Sequence, residues 1–363
     1  MFLSLEEAVS RLTILLLFVF ANFVGDAGTP VNPPLKLLRR IPMPQVAVKG
    51  RGPRNFDALT ADVKNNRLFV AAEWHGSVEV YDMKTGKLIR SITGIGRPLD
   101  ILYLDEVASI YVTDGTGRPT LGVGETGVVR VYDGTTYKQA KTINLLPDTD
   151  SIAYDSATKL LYVKNGGEDA KLPYSFITIL KTNGDKVGEI RVDSDTIGDV
   201  VLESGGSKLF VPDTDKKRKN KIIRVFDRNT HEQLASWPDP HGTHSGVMDV
   251  DEKNHRLFAG EPEGLVTVFD TDTGKEVTTL PIGKGMDGLE YDEDSKRIYI
   301  TCGDDGQIYV YEEKDPNHYQ LLGKVPSGPK ARSGTLVPEL HRFFTAVPEQ
   351  NDTPAELLEY EVQ

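Results

Sequence analysis

Cysteine is all but missing from this chain: Cys302 is the only one in 363 residues. A single thiol excludes any intrachain disulfide, and it excludes the paired cysteines of a haem-attachment or zinc motif. Stability must come from a packed core, and Cys302, which follows the apolar run Arg297 to Thr301, reads as a buried, inert thiol. Basic charge is in deficit, with 42 Lys and Arg against 54 Asp and Glu and a net charge of −12. With no polybasic tail, neither nucleic acid nor an anionic membrane is an expected partner. The cationic stretch Lys216-Lys217-Arg218-Lys219-Asn220-Lys221 has no aromatic interleaved with it and reads as a solvated hairpin tip. Catalytic signatures are also missing. There is no nucleophile elbow, and Gly122-Val123-Gly124-Glu125-Thr126-Gly127 precedes a strand instead of opening a helix, so it is no phosphate loop.

The apolar run Leu12 to Val24 has 13 residues, too few to span a bilayer but enough for the core of a signal peptide. Arg11 precedes it and Gly25-Asp26-Ala27 follows, although Glu6 and Glu7 stand where a positive charge is usual and Asn22 interrupts the run. This predicts a signal peptide over residues 1–27 and a mature periplasmic or secreted chain, 28–363, with no transmembrane span.

What the chain has in abundance is repetition. Seven copies of a unit of about 45 residues each carry one short β run, such as Leu68-Phe69-Val70, Ile110-Tyr111-Val112 and Ile298-Tyr299-Ile300. A second run follows within each copy, as in Val78-Glu79-Val80-Tyr81-Asp82 and Val266-Thr267-Val268-Phe269-Asp270. Gly, Asp and Asn clusters divide each copy into four strands. In the first copy these are Ala58 to Ala61, Arg67 to Ala71, Ser77 to Tyr81 and Lys87 to Ile92. The prediction is an all-β, seven-bladed β-propeller of four-stranded antiparallel blades, in one monomeric domain. The last copy has three strands and a spare apolar segment, Leu35 to Ile41, precedes the first, so the N-terminal strand is expected to close the ring.

Ile110-Tyr111-Val112-Thr113-Asp114 resembles the YVTN-type repeat, and the chain from about residue 35 to 362 resembles the YncE-like seven-bladed propellers of bacterial cell envelopes. The stretches Pro147 to Asp155, Met286 to Asp292 and Ala331 to Leu340 carry the likeness most specifically. The resemblance implies a fold and an envelope location. It assigns no activity, and relatives by fold include lactonases and propeller subunits of periplasmic redox enzymes.

The long, irregular connections fall between second and third strands: Gly115 to Thr126, Asn165 to Tyr174, Pro212 to Asn220 and Pro348 to Pro354. All open on one face, which is where binding groups are expected. Counting back eleven or twelve residues from the aromatic of each first run reaches Asp57, Asp100, Asp150, Asp199 and Asp287, at the head of the innermost strand. The fifth copy has Gly246 there, with His241 and His244 upstream, and the seventh has Arg332. The predicted ligand-binding set is therefore Asp57, Asp100, Asp150, Asp199, Asp287, His244 and Arg332.

Carboxylates with an imidazole suit a divalent cation, although no cofactor is predicted outright. Basic residues nearby, Arg54, Arg97 and Lys284, make the ring mixed and suit a zwitterionic or anionic small molecule better. Alternatively, each Asp caps its own turn. Trp74 offers an aromatic wall, whereas Trp237 is read as packing between blades. The expected role is a noncatalytic binding or scaffold protein, with a small molecule or an envelope protein as partner. The alternatives are a lactonase-like or metal-assisted hydrolase at the same mouth and an accessory subunit of a periplasmic redox system.

Overall fold

Each apolar triplet of the repeat becomes the second strand of a blade. In the computed structural model, which describes residues 32–44, 55–115, 126–214, 221–244, 246–350 and 353–363, these strands are buried along nearly their whole length. Arg67–Ala72 is an example in which every residue is buried. A strand sandwiched between two neighbouring blades has no solvent face, which is why these runs are continuous in Val, Ile, Tyr and Phe instead of alternating. The outermost strands do meet water, and Gln139–Leu145 buries only Ile143.

Seven four-stranded antiparallel sheets result, six of them ordered consecutively from centre to rim and the seventh taking the N-terminal strand as its rim strand. Blade 1 comprises Leu59–Asp62, Arg67–Ala72, Ser77–Asp82 and Leu88–Thr93, within one or two residues of the expected bounds. The innermost strands of blades 2 to 7 are Pro98–Leu104, Ile152–Asp155, Val201–Leu202, Met248–Asp251, Met286–Asp292 and Gly334–Val337. Phenol hydroxyls tie blades together, as where Tyr111 donates to the Thr182 carbonyl at 2.8 Å and Tyr360 to the Pro326 carbonyl at 2.6 Å.

The ring closes as the sequence indicated. Leu35–Pro42 pairs antiparallel with Glu356–Val362, completing blade 7 from the opposite end of the chain. Leu35 packs with Tyr299, Phe343 and Tyr360, while Ile41 packs with Leu68, Met83 and Leu357. One strand thus touches blade 6 through one end and blade 1 through the other.

The rim turns repeat an Asp-x-x-Thr pattern whose Asp accepts from the Thr backbone and hydroxyl, at 2.6 and 2.8 Å for Asp82 and Thr85. The next residue needs positive φ, met by Gly86 (71°) and Gly274 (68°). Gly274 has a second reason: a Cβ there would lie 2.2 Å from Trp237. Trp237 packs between Phe210 of its own blade and Phe269 of the next. Cys302 is fully buried and burial pushes its thiol up to about 12.

Lys221 departs from the sequence reading. It is the first residue of Lys221–Asp227, not part of a hairpin tip, and is completely buried. Its ammonium bonds the Glu261 carboxylate and the Gly260 carbonyl (3.2 Å) and lies 3.9 Å from Asp239. Glu261 is also fully buried and Asp239 1% exposed. The strand Lys208–Thr214 likewise continues through Pro212, where a loop was expected, because Pro212 pairs with Ile223. The rest of the cationic stretch, the predicted signal peptide, Gly122 to Glu125 and Arg54 lie outside the described residues. Among the described residues no helix is long and apolar enough to cross a membrane.

Candidate functional site

The heads of the innermost strands surround two adjoining clefts on the face bearing the long connections. One, about 310 Å³, is walled mainly by blades 3 and 4 and includes Asp150, Asp199, His244 and Asp287. The other, about 460 Å³, is walled by Asp57, Asp100, Arg332, Trp74 and Arg97 and shares Asp150, Asp199 and Asp287 with the first. All seven residues selected from the repeat register therefore wall one or both clefts. Gly246 is there too, and a Cβ on it would lie 2.1 Å from the Gly260 carbonyl, so the fifth blade has no room for an acid at that position.

The seven do not play one role. Asp100 is a structural cap: its carboxylate accepts the Ile101 N–H at 2.8 Å and, from blade 3, the Ile152 N–H at 2.9 Å. The turn-cap alternative thus describes Asp100, with the addition that the cap bridges two blades. Asp57 and Asp287 instead meet a cation, lying 3.4 and 3.0 Å from the Arg332 guanidinium. Asp150 receives the Lys164 ammonium at 2.9 Å. Asp199 makes no hydrogen bond or ion pair among the described residues.

Burial, and behind it the neighbouring Asp287 and Glu73, holds Asp57 well above the usual carboxylate range despite Arg332. Burial and then Asp150 and Asp100 do the same to Asp199. Asp287 is raised by burial against the opposing pull of Arg332. Burial lifts Asp100 to about 7, although its two backbone donors resist. For Arg332 burial acts to lower the pKa, but Asp287, Asp57 and Glu73 outweigh it and the pKa is raised. More carboxylates than cations face one another here, and protons make up part of the difference.

Several contributors were not singled out from the sequence. Glu73, 2% exposed at its side chain, accepts from Arg97 at 2.7 Å and Asn55 at 3.0 Å. Lys164 sits on the second strand of blade 3, 3.4 Å from Asp148. Its signal was a lysine following Leu161-Tyr162-Val163 in a strand with no solvent face. Deeper in the channel, Asp249 accepts from Val250 and Tyr291 (2.8 and 2.7 Å) and Glu290 from Leu336 (2.5 Å), again spanning neighbouring blades.

The histidines do not converge. His241 lies 3.1 Å from Glu276 and His244 2.5 Å from Glu263, each with a separate partner. Among the described residues no three His, Cys, Asp or Glu side chains are grouped as a metal site. Lys284 is exposed and donates its backbone N–H to Asp305, apart from both clefts.

No protein-family model matches the chain. Among solved structures, a chain of Kuenenia stuttgartiensis hydrazine synthase aligns with a TM-score of 0.68 at 15% identity, covering 85% of this chain and all of its own. A chain of a mitotic checkpoint complex aligns with a TM-score of 0.68 at 14% identity, covering 98% and 99%. At such identities the likeness is one of fold, a seven-bladed propeller, and it carries no function across.

Proposed function

We propose that this chain is an exported, noncatalytic binding or scaffold propeller of the YncE-like, YVTN-repeat kind, and that its ligand seats at the loop-rich mouth of the central channel. The observation behind this reading is the meeting of Asp57, Asp150, Asp199, Asp287 and Arg332 around two contiguous clefts that all blades but the fifth and seventh supply with an acid. Asp57, Asp150 and Asp287 do not cap their own turns but face cations across the mouth. A rigid ring that holds surplus charge at one mouth is suited to recognition, because the groups are positioned before the ligand arrives.

Export rests on the segment Leu12 to Ala27, and the partner class is a small molecule or an envelope protein. Hydrolysis would require several carboxylates to converge on one ion, and no observation favours it. A lactone and ester screen of the purified protein tests that rival, and copurification from the native host tests a redox partner. The binding reading is tested with the double substitution Asp150→Asn, Asp287→Asn. The fold is expected to persist while binding of small ligands or envelope partners changes. Collapse of the double variant, with a wild type that binds nothing, would leave these acids as structural groups and end the proposal.

A further inference from the structure

On the face opposite the mouth, a cation joins one blade to the next at several seams of the ring. The residue that opens the second strand, Arg67, Lys208, Arg256 or Arg297, donates to a carbonyl of the following blade: Gly134, Thr271 (3.0 Å), Pro316 (2.8 Å) or Gln363 (2.6 Å). Arg342 opens the second strand of blade 7 in the same way, yet among the described residues it makes no bond to blade 1. The carbonyls there, of Met83 and Lys84, are taken by Arg39 from the N-terminal strand that closes the ring. Arg342 stays on its own blade, with Nε 3.1 Å from Glu359 and Nη1 on the Leu340 and His341 carbonyls. Its Nη2 makes no hydrogen bond among the described residues. Closure from the other end of the chain thus brings a second arginine to a seam where the repeat already supplies one.

A cleft of about 540 Å³ lies at this seam, with Leu38, Met83 and Leu340 as its apolar lining. Leu38 reaches it through a bulge: the pairing of Leu35–Pro42 with Glu356–Val362 shifts between Leu37 and Arg39, and the extra residue is 38% exposed. The charged lining is Arg39, Lys84 and Arg342 against Glu359 alone. Glu359, 4% exposed at its side chain, is already shared by both arginines. Lys84 forms no ion pair among the described residues, and the acid it influences, Asp82, is occupied by the Thr85 backbone and hydroxyl. We propose that this cleft binds an aliphatic carboxylate of medium chain length, its acid group held by Arg342 and Lys84 and its chain laid over Leu38, Met83 and Leu340. In a chain of net charge −12, a local surplus of cations selects an anion. The guanidinium edge matches a carboxylate, and the apolar lining favours an anion with a hydrocarbon tail over an inorganic one. The site is separate from the mouth, with which it shares no lining residue.

The test is calorimetry on the full chain at neutral pH and physiological ionic strength, with octanoate, octanol, octylamine and the peptide acetyl-Leu-Glu-Leu-amide as separate probes. Octanoate is expected to saturate one site per chain, octanol to bind about tenfold more weakly and octylamine to show no binding. Arg342→Gln should weaken octanoate about tenfold or more, the scale of a lost charge-assisted hydrogen bond. Lys84→Gln and Leu38→Gln should each weaken it several-fold, and both change exposed residues, so they carry the test should Arg342→Gln fold poorly. Lys87→Gln, in the same turn but outside the cleft, should leave binding unchanged. Octanol bound as tightly as octanoate would show that the hydrocarbon tail alone partitions onto the protein and would overturn the proposal. Octanoate binding unaltered in all three cleft variants would place it elsewhere, with the same consequence. Binding of the peptide by a protein that ignores octanoate would make the cleft a docking site for an acidic segment of another protein and remove the carboxylate ligand. A wild type that binds none of the probes would end the proposal and leave the reading of the mouth untouched.

Discussion

Glu261 provides the sharpest test of the electrostatics. Lys221, Asp239 and Glu261 are buried together between blades 4 and 5, two carboxyls to one ammonium. Burial, reinforced by Asp239 and opposed by Lys221, pushes Glu261 from 4.5 up to about 8. Between those values the folded protein retains a proton that the unfolded chain has released. The stabilisation is complete below the unfolded pKa and is lost as pH rises through the folded one. Each pH unit in this interval therefore removes about 1.4 kcal/mol of stability. Unfolding a ring of this size carries an entropy of about 0.7 kcal/mol/K, so the loss amounts to about 2 °C in Tm per pH unit.

Glu261→Gln copies the protonated form at every pH. Thermal scans by circular dichroism from pH 5.5 to 9 should show the variant gaining on the wild type as pH rises, by about 3 °C between pH 6 and 8 once the loss of the proton near pH 8 is included. Asp249, Asp100 and Glu290, raised by burial to about 6, 7 and 8, tilt both proteins in the same direction, and the difference between the two curves isolates Glu261. Parallel curves would refute the assignment of the proton to this triad.

Replacing both Leu35 and Ile41 with Ala should cost about 2–5 kcal/mol at each site and lower Tm by several degrees, because the closing strand loses its anchors on blades 6 and 1; an unchanged Tm in scanning calorimetry would show that closure adds little. Asp199→Asn should raise Tm at pH 8 and leave it nearly unchanged near pH 5, since the neutral amide relieves like-charge crowding that protons otherwise relieve; a fall in Tm at pH 8 would contradict this. Cys302 should react with a thiol reagent only upon unfolding, and rapid modification of the native protein would place it nearer the surface than its burial allows. Fractionation and N-terminal sequencing should find a mature chain beginning near Gly28, whereas cytoplasmic protein starting at Met1 would exclude export.

Blade number, strand assignment and ring closure were legible because they depend on local chemistry repeated seven times. Leu-Phe-Val or Ile-Tyr-Val runs separated by Asp- and Gly-bearing turns admit few other arrangements. The clefts were legible only as a register. Counting from Phe69 or Tyr162 locates Asp57 and Asp150 at equivalent heights, but the count slips by one at Asp100 and Asp199. At Asp100 the slip coincides with irregular pairing in blade 2, between Pro98 and Ile101. That shift is beyond sequence spacing, and so is the different duty of Asp100, which faces the N–H groups of two blades. Glu73 and Lys164 were hidden for another reason: their partners, Arg97 and Asp150, come from a neighbouring blade or an adjacent loop, and such pairings are set by how strands meet around the ring. Lys221 shows the converse error, where a run of like charges in sequence concealed a strand boundary.

The balance of charge at the mouth follows from the same geometry. In a single blade an acid at the head of the innermost strand faces solvent and costs little. Seven blades arranged about one axis turn those heads toward each other, so an innocuous repeat position becomes a crowded ring. The chain relieves the crowding unevenly: Gly246 omits the acid, Arg332 reverses its sign, Asp100 spends its charge on backbone donors, and Lys164 crosses to Asp150. Among the described residues Asp199 receives none of these close contacts, only the more distant pull of Lys164. An unrelieved carboxylate on a rigid ring raises the free energy of the unliganded protein, and a cation that binds there lowers it by that relief as well as by its own contacts.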